Sequence, residues 1–235
     1  MIDHTAPSGF LITMLFWIIM FPTPGNSQIP GGFTPIFNGE DLTGWHISRT
    51  NHHGTTGHFQ VEDGAIVMKQ YPYGQGGILL TDENYGDFEL YLEVKADPGT
   101  NGGIFFRSNE SGSAYQVELE GDGRPNTGNL ISEMLRTSVG AQADVDKVWN
   151  KGSWNAFRLR VVGEAPRVTL WVNGEKMWEA RAERNDMIAG ATEGMIALQL
   201  HWSRTPTPVP GGSCCAFSWK PDAAHSFRNI AIRER

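Results

Sequence analysis

Cysteine is nearly absent from this chain of 235 residues, which contains only the neighbouring pair Cys214 and Cys215. Two adjacent cysteines exclude a disulfide framework, and no His or Cys stands at zinc-finger spacing from them. The sequence is compatible with a disulfide bond between the two neighbours and equally with two reduced, buried thiols. The pair therefore predicts no chemistry, and the stability of the fold has to come from a hydrophobic core.

Long apolar runs are equally scarce, because residues 10–21 form the only one. This run is shorter than the about 20 apolar residues that a membrane-spanning helix needs. Prolines and small residues follow it as far as Ser27, which is typical of a secretory signal. We expect residues 1–27 to be a signal peptide and residues 28–235 to form a single domain. The mature protein is then secreted or periplasmic, with no stable membrane insertion. An uncleaved membrane anchor is the alternative, because residues 1–9 contain no Lys or Arg.

Basic clusters are also missing. The chain has 19 Lys and Arg against 26 Asp and Glu, which gives a formal net charge of −7. No basic run is interleaved with aromatic residues, so we expect no nucleic-acid partner. A mildly acidic chain in which 11% of the residues are aromatic suits a neutral ligand such as a sugar.

Helical periodicity is rare, whereas short alternating segments are frequent. In residues 87–95, apolar and other side chains alternate strictly, which is typical of an antiparallel strand with one covered face. Asp63-Gly64 and Asn173-Gly174 each lie between two alternating segments and favour two-residue hairpin turns. Repeated short strands and turn signals predict an all-β sandwich of two sheets. The chain shows no internal repeat and no linker that would divide this domain.

The most informative stretch is residues 101–121, which predicts two strands and their connection. Successive side chains of a strand point to opposite faces. One face of the second strand is apolar, with Tyr115, Val117 and Leu119. The other face is polar, with Gln116, Glu118 and Glu120. Arg107 ends the first strand and joins this polar face if the strands are neighbours. The pattern predicts a groove floor that bears carboxylates, and a solvated sheet face is the plain alternative.

Other candidate ligand-binding side chains lie elsewhere in the chain. In the late strand of residues 194–202, Gln199 and His201 share the face opposite the leucines. A polar loop at residues 49–58 carries His52 and His53. Imidazole and carboxylate groups suit divalent ions, so these two histidines, His201 and a Glu are candidate ligands of a divalent metal ion.

Tryptophans offer platforms on which a sugar can stack. Most of them lie in regular strands, where packing in the core or at a sheet edge is expected. Trp149 and Trp202 lie in less regular stretches, and we expect these two to contact the substrate.

Short motifs follow one another in a fixed order along residues 33–235. They are FNGEDLTGW from Phe37, VEDG from Val61, GDFEL from Gly86, GGIFFRS from Gly102, YQVE from Tyr115, WN from Trp154, VNG from Val172, GMIALQLH from Gly194 and FRNI from Phe227. Together they resemble the 3-keto-disaccharide hydrolase domain family, which is abundant in exported bacterial proteins. The resemblance implies a concanavalin A-like jelly roll of two curved antiparallel sheets with a concave groove that faces the sugar. It also implies that the first and last strands lie together.

The resemblance further implies a reaction that differs from ordinary glycoside hydrolysis. The substrate is an oxidised saccharide, made by a separate sugar 3-dehydrogenase that acts upstream. The ketone at C3 makes the C2 proton removable, elimination then expels the group at C1, and water completes hydrolysis. Such a site needs a base, a donor for the enolate oxygen and an acid for the leaving oxygen.

The resemblance also suggests roles for the polar residues of the predicted groove. Glu118 and Glu120 are the expected base and acid, Arg107 the group that stabilises the oxyanion, and His201 a further proton carrier. The other expected substrate contacts are Gln116, Gln199, His52, His53, Trp149 and Trp202.

Two other functions compete with this one. The first is a non-catalytic lectin-like module that binds carbohydrate or a partner, since function does not follow from fold. The second is a conventional retaining glucanase that uses Glu118 and Glu120. Side chains at i and i+2 of a strand lie about 6.6 Å apart, however, whereas a retaining pair needs roughly 5–5.5 Å.

Overall fold

The computed structural model describes residues 29–123, 125–136, 139–209 and 215–235, so the expected signal peptide and Cys214 lie outside the described residues. The strands of the described part are β1 (Thr34–Pro35), β2 (Trp45–Ile47), β3 (His58–Glu62), β4 (Ala65–Lys69), β5 (Gly77–Thr81), β6 (Phe88–Ala96), β7 (Asn101–Ser108), β8 (Ala114–Glu120), β9 (Leu130–Glu133), β10 (Asn155–Val162), β11 (Arg167–Val172), β12 (Glu175–Arg181), β13 (Met195–Leu200) and β14 (His225–Glu234). A short 3-10 turn at Ile188–Gly190 is the one helical element among these residues.

The strands form two antiparallel sheets, which confirms the all-β prediction. The larger sheet has the order β12-β11-β10-β6-β14-β4-β3, with β1 paired to β14. The smaller sheet has the order β2-β5-β13-β7-β8-β9. Thr34 in β1 pairs with Ile232 in β14, so the first and last strands lie together as expected.

The hairpins form where the turn residues tolerate a left-handed backbone. Asp63 and Gly64 have φ values of 50° and 77°, and Asn173 and Gly174 have 50° and 87°. Positive φ at both central positions is the requirement of a type I′ turn, whose twist matches that of the flanking strands. These two dipeptides therefore set the β3–β4 and β11–β12 pairings.

The main hydrophobic core lies between the two sheets. Phe88, Phe106, Phe157 and Phe227 are among its buried side chains. A second, smaller cluster lies on the opposite face of the smaller sheet and contains Ile78, Leu80, Phe105, Ala114 and Ala197. Part of this opposite face, called the groove face below, is therefore covered. None of the described residues belongs to a helix with the length and hydrophobicity needed to cross a membrane.

Candidate active site

The polar end of the groove face is built on three neighbouring strands, β13, β7 and β8. Tyr115, Val117 and Leu119 are buried in the main core, which confirms the direction predicted from the alternation in β8. Their polar neighbours therefore point to the groove face. Gly103 in β7 pairs with Glu118 on one side and with Gln199 on the other. Because Gly103 has no side chain, the side chains of Glu118 and Gln199 flank an empty position between them.

Gly103 makes room for a chain of hydrogen bonds across the sheet. A Cβ atom at this position would overlap the side-chain amide of Gln116. In the space left free, Gln116 Nε2 donates to Gln199 Oε1 at 2.9 Å. Gln199 Nε2 lies 3.0 Å from His53 Nε2 and 3.1 Å from His53 Nδ1. Because an amide N–H donates, His53 presents an unprotonated nitrogen to Gln199. The two glutamines thus orient this ring.

Two loops cover the apolar half of the groove face. The loop after β2 and the loop between β7 and β8 meet at Glu110, whose carbonyl oxygen accepts a hydrogen bond from Ser48 Oγ at 2.7 Å. The Glu110 carboxylate accepts another from the Arg49 backbone N–H at 3.0 Å. A Cβ atom at Gly112 would lie 2.6 Å from Ile78 Cδ1, so this loop packs directly on the small apolar cluster. The members of the small apolar cluster are thus buried, whereas Glu120, His52 and Trp202 at the polar end keep accessible surface.

His52, His53 and Glu133 form a cluster in which each residue contributes one potential ligand atom within 4.8 Å of the others. His52 Nε2 lies 3.0 Å from Glu133 Oε1, and the two imidazole rings lie 3.9 Å apart between centroids. Glu133 pairs with Ala114, a residue of the groove face, so it projects to this face from β9. Sequence reasoning missed Glu133. The strand alternation could have revealed it. Leu130 is a core residue, and the side chain three positions later in the same strand, that of Glu133, points to the opposite face.

His201 follows β13 and lies beside the cluster, with its ring centroid 5.4 Å from that of His53. Its Nδ1 donates to the Trp202 carbonyl oxygen at 2.6 Å, and its ring stacks on the Trp202 indole at 5.8 Å. The Sγ atom of Cys215 lies 3.4 Å from His201 Nδ1. This contact brings a cysteine, to which the sequence assigned no chemistry, to the edge of the site.

Burial and neighbouring charges perturb the ionisable groups of the site. Burial raises the pKa of Glu118 to about 7, and the charge of Glu120 acts in the same direction, against the effect of His201. Burial lowers the pKa of His53 to about 3, and the charges of His52 and His201 add to this effect. Burial is the largest influence on His201 and opposes its protonation, but the interactions with Cys215, the Trp202 carbonyl and Glu133 together outweigh it, so the pKa of His201 is raised. The site thus holds a neutral imidazole and a carboxyl group whose pKa is close to neutral pH.

Glu120 occupies the open rim of the groove face. It is half-buried, and Asn126 Nδ2 donates to its Oε1 at 3.2 Å. Trp202 is an exposed member of the site, with 37% of its surface accessible. Gln116, Glu118, Glu120, Gln199, His52, His53, His201 and Trp202 therefore lie together at the polar end of one face, as the sequence predicts.

Arg107 does not face the groove, and this expectation is wrong. The pairing of β7 with β13 shifts by one residue between Met195 and Ala197, and Arg107 has a φ of 51°. This bulge breaks the alternation, so the guanidinium turns away and donates to the Gly86 carbonyl oxygen at 3.1 Å. It also pairs with Asp87 at 3.0 Å. Arg107 links the two sheets and takes no part in the groove.

Trp149 also does not lie on the groove face, where a substrate contact was expected. Its side chain is buried in the main core, where it meets Phe157 edge to face at a centroid distance of 6.2 Å. A Cβ atom at Gly123 would lie 2.5 Å from the indole, so the chain closes over the ring. The irregular segment that carries Trp149 thus uses the tryptophan as its hydrophobic anchor in the main core.

Two antiparallel sheets with a polar end on one outer face form the concanavalin A-like jelly roll, and with this site they define a carbohydrate-active domain of the glycosyl hydrolase type. Residues 32–233 match the model of the 3-keto-alpha-glucoside-1,2-lyase-like domain, and the chain belongs to this family.

Solved structures support the fold. A glycosyl hydrolase described as putative, from Parabacteroides distasonis ATCC 8503, is 20% identical, with 87% of this chain and 94% of that chain covered and a TM-score of 0.57. An endo-β-1,3(4)-glucanase of family GH16 is 14% identical, with coverage of 88% and 97% and a TM-score of 0.58. The carbohydrate binding module CBM66 from Bacillus subtilis is 12% identical, with coverage of 82% and 97% and a TM-score of 0.53. No curated protein matches the sequence significantly.

Proposed function

We propose that this protein cleaves the glycosidic bond of 3-keto-glycosides or 3-keto-disaccharides by removing the C2 proton and eliminating the group at C1. The observation that carries the proposal is Glu118, a groove-face carboxyl group whose pKa is raised to about 7. A proton carrier works best when its pKa lies near the working pH. A ketone at C3 is required because the C2 proton of an ordinary sugar is far too weakly acidic for a carboxylate or an imidazole.

The residues of the site can be given roles in this reaction. Glu118 takes the C2 proton, and the electron pair of the C2–H bond forms the C1–C2 double bond as the C1–O bond breaks. Glu120, at the open rim, relays a proton from the solvent to the leaving oxygen, since Glu120 itself is charged in the resting site. His201 replaces Arg107 as the group that faces the developing negative charge, because its raised pKa favours the cationic form. Water then adds to the double bond if the reaction proceeds to hydrolysis.

We also propose a divalent metal ion at His52, His53 and Glu133. Two imidazoles and one carboxylate are a suitable donor set for such an ion. The lowered pKa of His53 keeps that ring neutral at pH 7, as metal binding requires. A metal ion bound here would supply Lewis acidity toward a sugar oxygen. Gln199 would act from behind the ligand by holding the orientation of the His53 ring.

The biological setting follows from the proposed substrate. Because the proposed substrate already carries a ketone at C3, a separate sugar 3-dehydrogenase has to oxidise the saccharide beforehand. Secretion or export to the periplasm remains a prediction from the apolar run at residues 10–21. N-terminal sequencing of exported material should find a start near Gln28, and a protein that still begins at Met1 would contradict the signal peptide.

The decisive experiment compares leaving-group release from a 3-keto-glucoside with release from its unoxidised parent. We expect turnover of the ketone only. Equal turnover of both would contradict the proposal and favour a conventional glucanase. Binding without turnover of either would favour the non-catalytic carbohydrate-binding module.

The metal proposal has its own test. Titration of the metal-free protein with Mn²⁺, Co²⁺ or Zn²⁺ should raise its melting temperature, because a ligand that binds only the folded state stabilises it. His52→Ala should abolish this increase, whereas His58→Ala, outside the cluster, should not. An increase that persists in His52→Ala would contradict the site.

A further inference from the structure

A surface pocket of about 320 Å³ lies outside the groove, between the end of β4 and the segment that precedes β14. Its lining includes Tyr71 and Tyr73 from one side and Lys220 and Asp222 from the other. The volume is at the small end of the range that ligand pockets occupy, roughly 300–1,000 Å³. The pocket therefore has room for one small ligand.

The two tyrosines are unusually exposed for large aromatic residues. Tyr71 leaves 65% of its surface accessible and Tyr73 leaves 38%. His58 meets the ring of Tyr71 edge to face at a centroid distance of 5.8 Å. Because one edge of the ring is held in this way, the aromatic surface is presented to the solvent in a defined orientation. Exposed aromatic side chains that share one pocket mark a binding surface more often than scattered ones do.

Hydrogen bonds tie down the segment that carries these rings. The Tyr71 backbone N–H donates to the Lys69 carbonyl oxygen at 2.9 Å, and the Gln75 N–H donates to that of Pro72 at 3.0 Å. The Ser203 N–H donates to the Gly74 carbonyl oxygen at 2.9 Å and attaches the loop to the segment after β13. A ligand that binds here meets a surface already arranged, so it loses little conformational entropy.

The polar groups around the tyrosines suit a neutral ligand with several hydroxyl groups. Lys69 lies 3.4 Å from Glu62, which offsets its charge. Lys220 and Asp222 contribute one charge of each sign to the same wall. Ammonium groups donate and the carboxylate accepts hydrogen bonds, so both kinds of partner are available to sugar hydroxyls.

We propose that this tyrosine pocket is a second saccharide-binding site, which holds a neutral pyranose ring with its C–H face against Tyr71 and Tyr73. This proposal rests on the protein being a carbohydrate-active domain and does not depend on the proposed elimination reaction. The second binding site and the elimination reaction can therefore be refuted separately. Phe59 and Met68 lie in the main core, and the neighbouring His58 and Lys69 therefore face outward. The pocket thus lies on the outer face of the larger sheet, whereas the groove face belongs to the smaller sheet.

Gln70 connects the tyrosine pocket to the groove. Its side chain points inward and donates to the His201 carbonyl oxygen at 2.7 Å and to Ser203 Oγ at 2.8 Å. The next residue, Tyr71, points outward into the pocket. A saccharide bound at the pocket would therefore contact the residue next to the one that supports the His201 backbone.

Calorimetric titration of the full chain with the unoxidised disaccharides cellobiose, maltose, lactose and sucrose tests the proposal. We expect at least one of them to bind at millimolar concentration. Tyr71→Ala and Tyr73→Ala should each weaken that binding about tenfold or more, as removal of an aromatic anchor does. Phe217→Ala is the matched control, because Phe217 is as exposed as Tyr73 but does not line the pocket. Melting temperatures of all three variants should match that of the wild type.

Two results would overturn the proposal. The first is that none of the four disaccharides binds the wild-type protein. The second is that binding survives Tyr71→Ala and Tyr73→Ala but is lost in Trp202→Ala, which would place the sugar in the groove. Glu118→Gln separates the two proposals, since it should leave disaccharide binding intact while it lowers turnover of the 3-keto substrate.

Discussion

Replacing Glu118 by Gln removes a proton carrier from the groove and changes little else. The amide is nearly the same size, and within the described residues the Glu118 side chain makes no hydrogen bond that the change would break. The pKa of Glu118 is raised by burial, which means that its charged form is disfavoured in the folded protein. An uncharged Gln removes this cost. The variant should therefore unfold no more easily than the wild type.

The expected loss of activity follows from the role of the group. General acid–base catalysis typically contributes 10²–10⁴-fold, which corresponds to about 3–5 kcal/mol of barrier. We expect kcat for a 3-keto-glucoside to fall by this range in Glu118→Gln. Glu175→Gln, at the exposed start of β12, is the matched control and should retain full activity. A fully active Glu118→Gln variant would refute the assignment and transfer the base to Glu120 or His201.

The pH profile tests the same assignment independently. A base must be deprotonated, so activity should rise with pH through about 7, the pKa of Glu118. The charge of Glu120 contributes to this raised pKa, so Glu120→Gln should move the inflection to lower pH. An inflection that stays in place in Glu120→Gln would show that another group controls the profile.

Three further predictions concern the framework of the site and the core. Gly103→Ala should displace the Gln116 amide and lower activity without unfolding the domain, whereas Gly31→Ala, with nothing within 4 Å, should be neutral in the same assays. Val117→Asp buries an unpaired charge in the main core and should abolish cooperative thermal unfolding; a stable variant would mean that β8 faces the other way. Burial lowers the pKa of His225 to about 3, so stability should fall as the pH drops below about 6.5, by about 2 kcal/mol at pH 5. His225→Phe should remove the contribution of His225 to this pH dependence, measured by chemical unfolding, while that of His53, whose pKa is also lowered to about 3, should persist. An unchanged dependence in His225→Phe would contradict the assignment to His225.

Local patterns were sufficient for most of the architecture. The alternation of β6 and β8 predicted which residues enter the core, because a strand has a period of two and one face has to be buried. The Asp-Gly and Asn-Gly dipeptides predicted the positions of two hairpins because few other pairs adopt positive φ twice in succession. The same alternation of β8 predicted that Gln116, Glu118 and Glu120 share one face.

Arg107 and Trp149 show where local reasoning fails. A single additional residue in β7 turned Arg107 from the groove to the junction of the two sheets, and no feature of the strand's own sequence marks that bulge. Trp149 lies in a segment without periodicity, so its burial depends on the distant Phe157, against which it packs.

Charged residues of the larger sheet show the same limit of reasoning from local sequence. Glu89 alternates outward as an exposed residue would, yet none of its surface is accessible. Arg158 and Arg233, which arrive from β10 and β14, pair with its carboxylate and cover it. The outward direction of the Glu89 side chain follows from the local alternation. Its burial depends on arginines that are distant in the sequence, so local reasoning does not predict it.

The sequence by itself determined the strands, two tight turns and the side of the sheet on which the carboxylates lie, because these depend on neighbours within a few residues. Tertiary structure alone decided that His52 and His53, Glu133 and His201 meet, since three separate segments of the chain supply them. It also decided the pKa values of Glu118 and His53, because burial is a property of the assembled site. Periodicity specifies the direction of a side chain, and only packing specifies what that side chain meets.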